Sequence, residues 1–129
     1  MRRVITFGTF DLFHYGHLQI LKRAREFGEY LIVGVSSDSL NFAKKSRYPI
    51  YTQTERRDII ESIKYVDCVF IEESLELKRQ YCLQYRVDIL VMGDDWEGKF
   101  DGLKDICEVV YLPRTPSIST TQIIEKIRI

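Results

Sequence analysis

Apolar residues recur along this chain in short β-branched runs, separated by stretches with helical spacing. Val4 and Ile5 open the first run, and Val4–Phe7 is predicted as a strand. Leu18, Ile20, Leu21 and Ala24, interleaved with Lys22, Arg23 and Arg25, predict an amphipathic helix over Gly16–Phe27 with Gly28 as its cap. Tyr30–Val35 (YLIVGV) is apolar nearly throughout, as a parallel strand covered on both faces would be. Ser36–Thr54 breaks the pattern. It is polar and basic, carries Lys44, Lys45, Arg47 and Pro49, and is predicted as a long loop of the kind that forms lids or binding loops. Ile59, Ile60 and Ile63 then mark one face of a helix that begins near Thr54, with Thr52 or Thr54 as its N-cap. Val66–Ile71 is predicted as a strand, Leu75–Tyr85 as a helix, Asp88–Met92 as a strand and Phe100–Ile106 as a short helix. Glu108–Leu112 reads as the fifth strand, closed by Pro113, and Ser119 or Thr120 caps a last helix over Thr121–Ile127.

Alternating strands and helices of this kind predict an α/β fold, a Rossmann-like doubly wound sheet of five parallel strands. With no internal repeat, linker or low-complexity segment, residues 1–129 are expected to form a single domain. In such sheets ligands bind beyond the carboxyl ends of the strands, at the switch point. The first strand ends at FGTFDLFHYGH, the fourth at GDDWEGKF and the fifth at RTPSIST, so these stretches converge at one edge.

Composition narrows the chemistry. Nineteen Lys and Arg balance nineteen Asp and Glu, so no global field draws the chain to nucleic acid or to a membrane surface, and any anion site must be local. Cys68, Cys82 and Cys107 are odd in number and lack metal-ligand spacing, as expected of incidental thiols in a reducing compartment. The N-terminus is too polar and interrupted for a signal peptide, no run approaches the length of a membrane span, and a cytoplasmic protein is expected.

Local anion chemistry is most evident at Phe7–His17. His14 and His17, the only histidines, are three residues apart and share a face at the start of a helix. Helix-start N–H groups and the positive end of the helix dipole favour an anion there, which points to phosphate chemistry. Metal ligation by this pair is not expected, because a helical zinc pair has its histidines four apart with a glutamate between them. Gly8 is expected to let the chain turn sharply, and Gly16 to allow close approach at the helix start. Asp11 is expected to order the turn through local hydrogen bonds.

FGTFDLFHYGH resembles the HxGH signature of the nucleotidyltransferase superfamily in its cytidylyltransferase form. Arg114–Thr121 (RTPSISTT) is similar to that family's RTxGISTT signature, and WEGKFD within Met92–Asp101 is similar to the branch that uses glycerol 3-phosphate. The resemblance runs from about residue 3 to the end of the chain. It implies a fold of the nucleotidyltransferase type, transfer of a cytidylyl group from CTP to a small phosphorylated alcohol, Mg²⁺ as cofactor, and a homodimer. Glycerol 3-phosphate would be the acceptor and CDP-glycerol the product, destined for envelope or capsular polymers.

By the same resemblance His14, His17, Lys44 and Arg114 would be catalytic. Thr9, Phe10, Gly16, Asp94, Thr115, Ile118, Ser119 and Thr120 would join His14, His17 and Arg114 around the nucleotide. Lys44, Lys78 and Arg56 would meet the acceptor, and Lys45 or Arg47 would be a second loop cation. Asp94 or Asp95 could also take Mg²⁺ or nucleotide hydroxyls. Trp96 is read as a packing residue rather than a stacking platform.

Two departures matter. Pro116-Ser117 stands where the family shows glycine at the second position, and Lys64 stands where arginine is expected and cannot reproduce a bidentate contact. Pro116-Ser117 and the altered basic loop around Lys45 and Arg47 leave room for phosphocholine, phosphoethanolamine or a sugar alcohol phosphate as acceptor, or more distantly for ATP as donor. A nucleotide-binding sensor without turnover is the alternative of a different class.

Overall fold

The computed structural model describes residues 1–113 and 120–128, with five strands and five α-helices among them. The strands are β1 (Arg3–Gly8), β2 (Tyr30–Ser36), β3 (Cys68–Glu72), β4 (Ile89–Gly93) and β5 (Glu108–Leu112). The helices are α1 (Tyr15–Arg25), α2 (Asp38–Lys45), α3 (Gln53–Glu61), α4 (Lys78–Gln84) and α5 (Thr120–Arg128). All strand pairs are parallel, in the order β3-β2-β1-β4-β5. The chain reverses its winding between β1 and β4, which is the switch point where such sheets take ligands.

Two apolar layers hold the helices to the sheet. Because side chains alternate along a strand, Val4, Leu31, Val33, Ile89 and Val91 face one way and pack with Leu21 and Ala24 of α1 and Ile60 of α3. Ile5, Phe7, Ile32, Leu90 and Met92 face the other way and pack with Cys82 of α4, Leu103 and Cys107. A run such as YLIVGV is apolar nearly throughout because both faces are covered.

The sequence expectations differ from the structure in four places. Ser36–Thr54 is not one long loop: Asp38–Lys45 is a helix, capped by the Ser37 hydroxyl accepting from the Leu40 N–H and closed by Ser46 at φ 56°. Its apolar side is thin, so the hydrophobic pattern hides it. Gly28 does not cap α1, which ends at Arg25 with Glu26 as C-cap. The Arg2 carbonyl passes where a Gly28 side chain would stand, only 2.5 Å from an added Cβ. The stretch Leu75–Tyr85 divides into a 3-10 turn at Leu75–Leu77 and then α4, and the helix expected over Phe100–Ile106 is a 3-10 turn at Asp101–Leu103. Of the two proposed caps, Thr52 starts α3: its hydroxyl accepts from the Glu55 N–H while Glu55 accepts from the Thr52 N–H.

Candidate active site

The carboxyl edge of the sheet opens into a cleft of about 570 Å³. Its walls include Phe7–Asp11 at the end of β1 and just beyond it, His17 and Ile20 of α1, Asn41 and Lys45 of α2, the segment Arg47–Ile50, Met92 and Gly93 at the end of β4 with Asp95 and Trp96 beyond it, and Thr120, Thr121 and Ile124 of α5.

The turn after β1 is tightly wound. Gly8 ends the strand, and the left-handed backbone falls on Phe10 (φ 55°) and Leu12 (φ 47°) rather than on the glycine. Gly8 is needed for space, since an added Cβ would lie 2.8 Å from the Phe10 ring. Two left-handed non-glycine residues within three positions, one of them in the cleft wall, store strain that the surroundings must hold in place. Asp11 does much of the holding: its carboxylate accepts from Leu12 N–H at 3.1 Å, Ile50 N–H at 2.7 Å and Tyr51 N–H at 2.9 Å. Thr120 at the start of α5 donates to the Asp11 carbonyl at 3.0 Å. One aspartate thus joins the β1 turn to the basic segment after α2, and its carbonyl joins both to α5.

His14 is the N-cap of α1. Its Nδ1 accepts from the Gly16 N–H at 3.1 Å, and His17 Nδ1 accepts from the His14 N–H at 3.2 Å. The two imidazoles therefore cap the helix reciprocally and stack with centroids 3.8 Å apart. Because each Nδ1 is an acceptor, each neutral ring carries its hydrogen on Nε2, as a donor. Burial among the rings of Phe10 and Phe13, with His14 alongside, pushes the His17 pKa down to about 3, and burial lowers His14 as well. The pair is neutral near pH 7. It can donate to phosphoryl oxygens without first giving up a charge.

The predicted cations are placed differently. Lys45 and Arg47 line the cleft, whereas Lys44 and Lys78 are not part of its lining. Burial lowers the Lys44 pKa, the charge of Glu72 raises it, and the charges of Lys45, Lys78 and Arg56 lower it further. The Lys78 ammonium pairs with the Glu72 carboxylate and lies 4.4 Å from the centre of the Phe7 ring, which is part of the cleft wall.

Arg56 requires a correction. Expected to meet the acceptor, it is completely buried, and its guanidinium donates to Tyr51 O (3.0 Å), Thr9 O (2.9 Å), Ser36 O (2.8 Å) and Asp38 Oδ1 (2.8 Å). It braces the ends of β1 and β2 against α2 and α3 and presents no face to the cleft. The Thr9 hydroxyl is also engaged within the protein, donating to Asn41 Oδ1 at 2.8 Å. After β4, Asp95 lines the cleft, whereas Asp94 is exposed and lies outside the lining. Trp96 packs on Phe100 with centroids 5.6 Å apart and also forms part of the cleft wall. Arg114, Thr115, Pro116, Ser117, Ile118 and Ser119 lie outside the described residues.

Sequence reasoning missed Asn41 and Glu72. Asn41 is buried and donates to the Ser36 and Ser37 carbonyls while accepting from Thr9. Reading its helix as a loop concealed it. Glu72 is one polar residue at the end of an apolar run, and only the fold brings Lys78 onto it.

A parallel sheet in this order, with paired imidazoles at a helix start and a cleft at its carboxyl edge, defines an α/β fold of the nucleotidyltransferase type. The chain belongs to the cytidylyltransferase-like family, whose sequence profile matches residues 5–126. It is 52% identical over 127 residues to glycerol-3-phosphate cytidylyltransferase of Bacillus subtilis, covering 98% of each chain. It is also 52% identical over 123 residues to the Staphylococcus aureus protein of that name, covering 95% of this chain and 92% of the relative. Among solved structures, a lipopolysaccharide core biosynthesis protein from Thermoplasma volcanium shares the fold with a TM-score of 0.76 at 24% identity, covering 89% of this chain and 98% of that one.

Proposed function

We propose that this chain transfers the cytidylyl group of CTP to glycerol 3-phosphate, giving CDP-glycerol and pyrophosphate. The observation that carries the choice of acceptor is the near-full-length similarity, at 52% identity, to relatives named for that reaction. An oxygen of the acceptor phosphate attacks the α-phosphorus in line, a new P–O bond forms, and the bond to the bridging oxygen of the β-phosphate breaks. The electron pair leaves with pyrophosphate. A phosphomonoester is already largely dianionic near neutrality, its second pKa being about 6, so no general base is required. Catalysis then consists of holding the two reactants in line and offsetting charge on the phosphoryl oxygens.

Each residue has a place in that scheme. His14 and His17 donate from Nε2 to the triphosphate, and Lys45 and Arg47, which line the same cleft as His17, meet it as well. Thr9, Phe10 and Gly16 frame the nucleotide through the turn and the helix start, together with Thr120. Arg114, Thr115, Ile118 and Ser119 are assigned to the nucleotide by the family pattern alone. Lys44 and Lys78 serve the acceptor phosphate. Arg56 is left to bracing.

The described residues hold no cluster of three or more metal-ligating side chains. Mg²⁺ keeps several waters and binds through one or two carboxylates and the substrate's phosphates, and the oxygen donors at the end of β4 fit that chemistry. Asp95 in the cleft wall, with Asp94 beside it, would hold the ion; when bound it neutralises charge on the phosphates. A homodimer and a cytoplasmic location belong to the same reading, carried over from the family, as does a single domain over 1–129. No helix among the described residues is long and apolar enough to cross a membrane.

The deciding experiment measures pyrophosphate release with Mg²⁺, crossing CTP and ATP against glycerol 3-phosphate, phosphocholine and phosphoethanolamine. Turnover confined to CTP with glycerol 3-phosphate is expected. Preference for another acceptor overturns the substrate but not the chemistry, and CTP binding without turnover on any acceptor overturns the reaction.

A further inference from the structure

Glu72 ends β3, with 1% of its surface exposed. The strand fixes it: its carbonyl accepts from the Ser37 N–H at 2.9 Å, and it pairs in register with Ser36 at the end of β2. Its carboxylate meets the ammonium of Lys78, which is 6% exposed and begins α4. That ammonium lies over the Phe7 ring at 4.4 Å and near the Phe100 ring at 5.5 Å. A buried ion pair is a poor stabiliser, because desolvating both charges cancels much of their attraction, and an apolar pair of similar volume commonly does as well. Here the pair sits behind a residue of the cleft wall, at the sheet edge where phosphates are to be bound.

We propose that Glu72 is a positioning residue for the acceptor's phosphomonoester, holding the Lys78 ammonium against the Phe7 ring. The inference rests on the reading that Lys78 meets the acceptor phosphate. Lysine has a flexible four-carbon stem and a point charge, so the stem does not fix where its charge stands. The carboxylate does, because it is mounted on a strand. Removing its charge leaves the Lys78 ammonium without its fixed partner before any substrate arrives.

The test is steady-state pyrophosphate release by the whole chain with CTP and glycerol 3-phosphate, for Glu72→Gln, Glu72→Asp, Lys78→Met and the Glu72→Gln/Lys78→Met double variant. Glu72→Gln and Lys78→Met are each expected to raise the acceptor KM about tenfold or more while the KM for CTP stays within about twofold. The double variant is expected to be no worse than Lys78→Met alone, because residues acting through one another do not add. Glu72→Asp should recover part of the loss. A normal acceptor KM in Glu72→Gln overturns the proposal. So do additive losses, and so does a rise in both KM values that tracks a lower Tm. If Lys78→Met leaves the acceptor KM unchanged, the reading of Lys78 fails and takes this inference with it. If Lys78→Met is impaired and Glu72→Gln is not, only the inference fails. Should Glu72→Gln not fold, Glu72→Asp replaces it in the same cycle and the same comparison decides.

Discussion

His17 shows how much one side chain can be asked to do. Its Nδ1 accepts the His14 N–H, its ring is enclosed by Phe10, Phe13 and His14, and its Nε2–H is left as a donor in a residue that lines the cleft. Replacing it with alanine removes a preorganised donor to the phosphoryl oxygens, and kcat is expected to fall about 10²–10³-fold, as for other single donors of this kind. Circular dichroism should show the fold retained, and a near-normal rate would remove the role. The same burial sets a pH dependence. The pKa of His17 in the folded chain is about 3 against an ordinary 6.5, so the unfolded chain binds the proton first as pH falls. Stability contributed by the neutral ring is present above pH 6.5 and is lost progressively as pH falls toward 3. His17→Gln should therefore flatten the acid side of the stability curve, by up to about 1.4 kcal/mol per pH unit for one proton. Urea unfolding between pH 6.5 and 4 reads this out; curves of equal slope would mean that His17 is already charged in the native state.

At the scale of elements, the site is assembled by pieces that brace one another. Asp11 ties the β1 turn to Ile50 and Tyr51, directly after the cleft-lining Arg47–Pro49. Asp11→Ala is expected to raise the KM for CTP about tenfold, since small misplacements of binding groups cost rates of that order or more, with a smaller change in Tm. Unaltered kinetics would mean that the segment holds its place without this anchor. Arg56 braces a wider span, and Arg56→Met strands the Thr9, Ser36 and Tyr51 carbonyls and the Asp38 carboxylate that it serves. Breaking a buried charged network from one side costs roughly 3–5 kcal/mol, which urea unfolding would detect. These braces also mark where the sequence stops being readable. Long apolar runs and ordered signatures reveal the strands, the sheet class and the two histidines, because period and spacing are local properties. Helix α2 escapes because its polar face dominates eight residues, and with it goes Asn41. Arg56 looks like a substrate cation because a sequence shows charge but not burial. Glu72 and Lys78 are six residues apart, yet their pairing depends on where β3 ends and α4 begins.

For the molecule as a whole, the two faces of the sheet differ in how directly they support the chemistry. The face with α1 and α3 packs Leu31, Val33 and Ile60, remote from Lys78. On the other face, Gly34 of β2 lies beneath the rings of Phe7 and Phe70, which meet edge to face at 5.9 Å. A Cβ at Gly34 would stand 2.6 Å from the Phe7 ring and 2.8 Å from the Phe70 ring, so Gly34→Ala must displace one or both. Phe7 carries the Lys78 ammonium on its face and also walls the cleft, so its displacement is felt in the site. Gly34→Ala is expected to cost about 1–3 kcal/mol, as overpacking does, and to raise the acceptor KM more than the KM for CTP. Leu31→Ala is the control: it is expected to cost roughly 2–5 kcal/mol through a cavity on the opposite face, with both KM values unchanged in the folded fraction. Urea unfolding together with steady-state kinetics on the two variants separates stability from positioning. If Gly34→Ala keeps a normal acceptor KM despite its lower stability, the Phe7 ring has room to shift without moving the lysine. The carboxylate of Glu72 would then be the sole fixed point of that subsite, and the aromatic platform would matter to the fold alone.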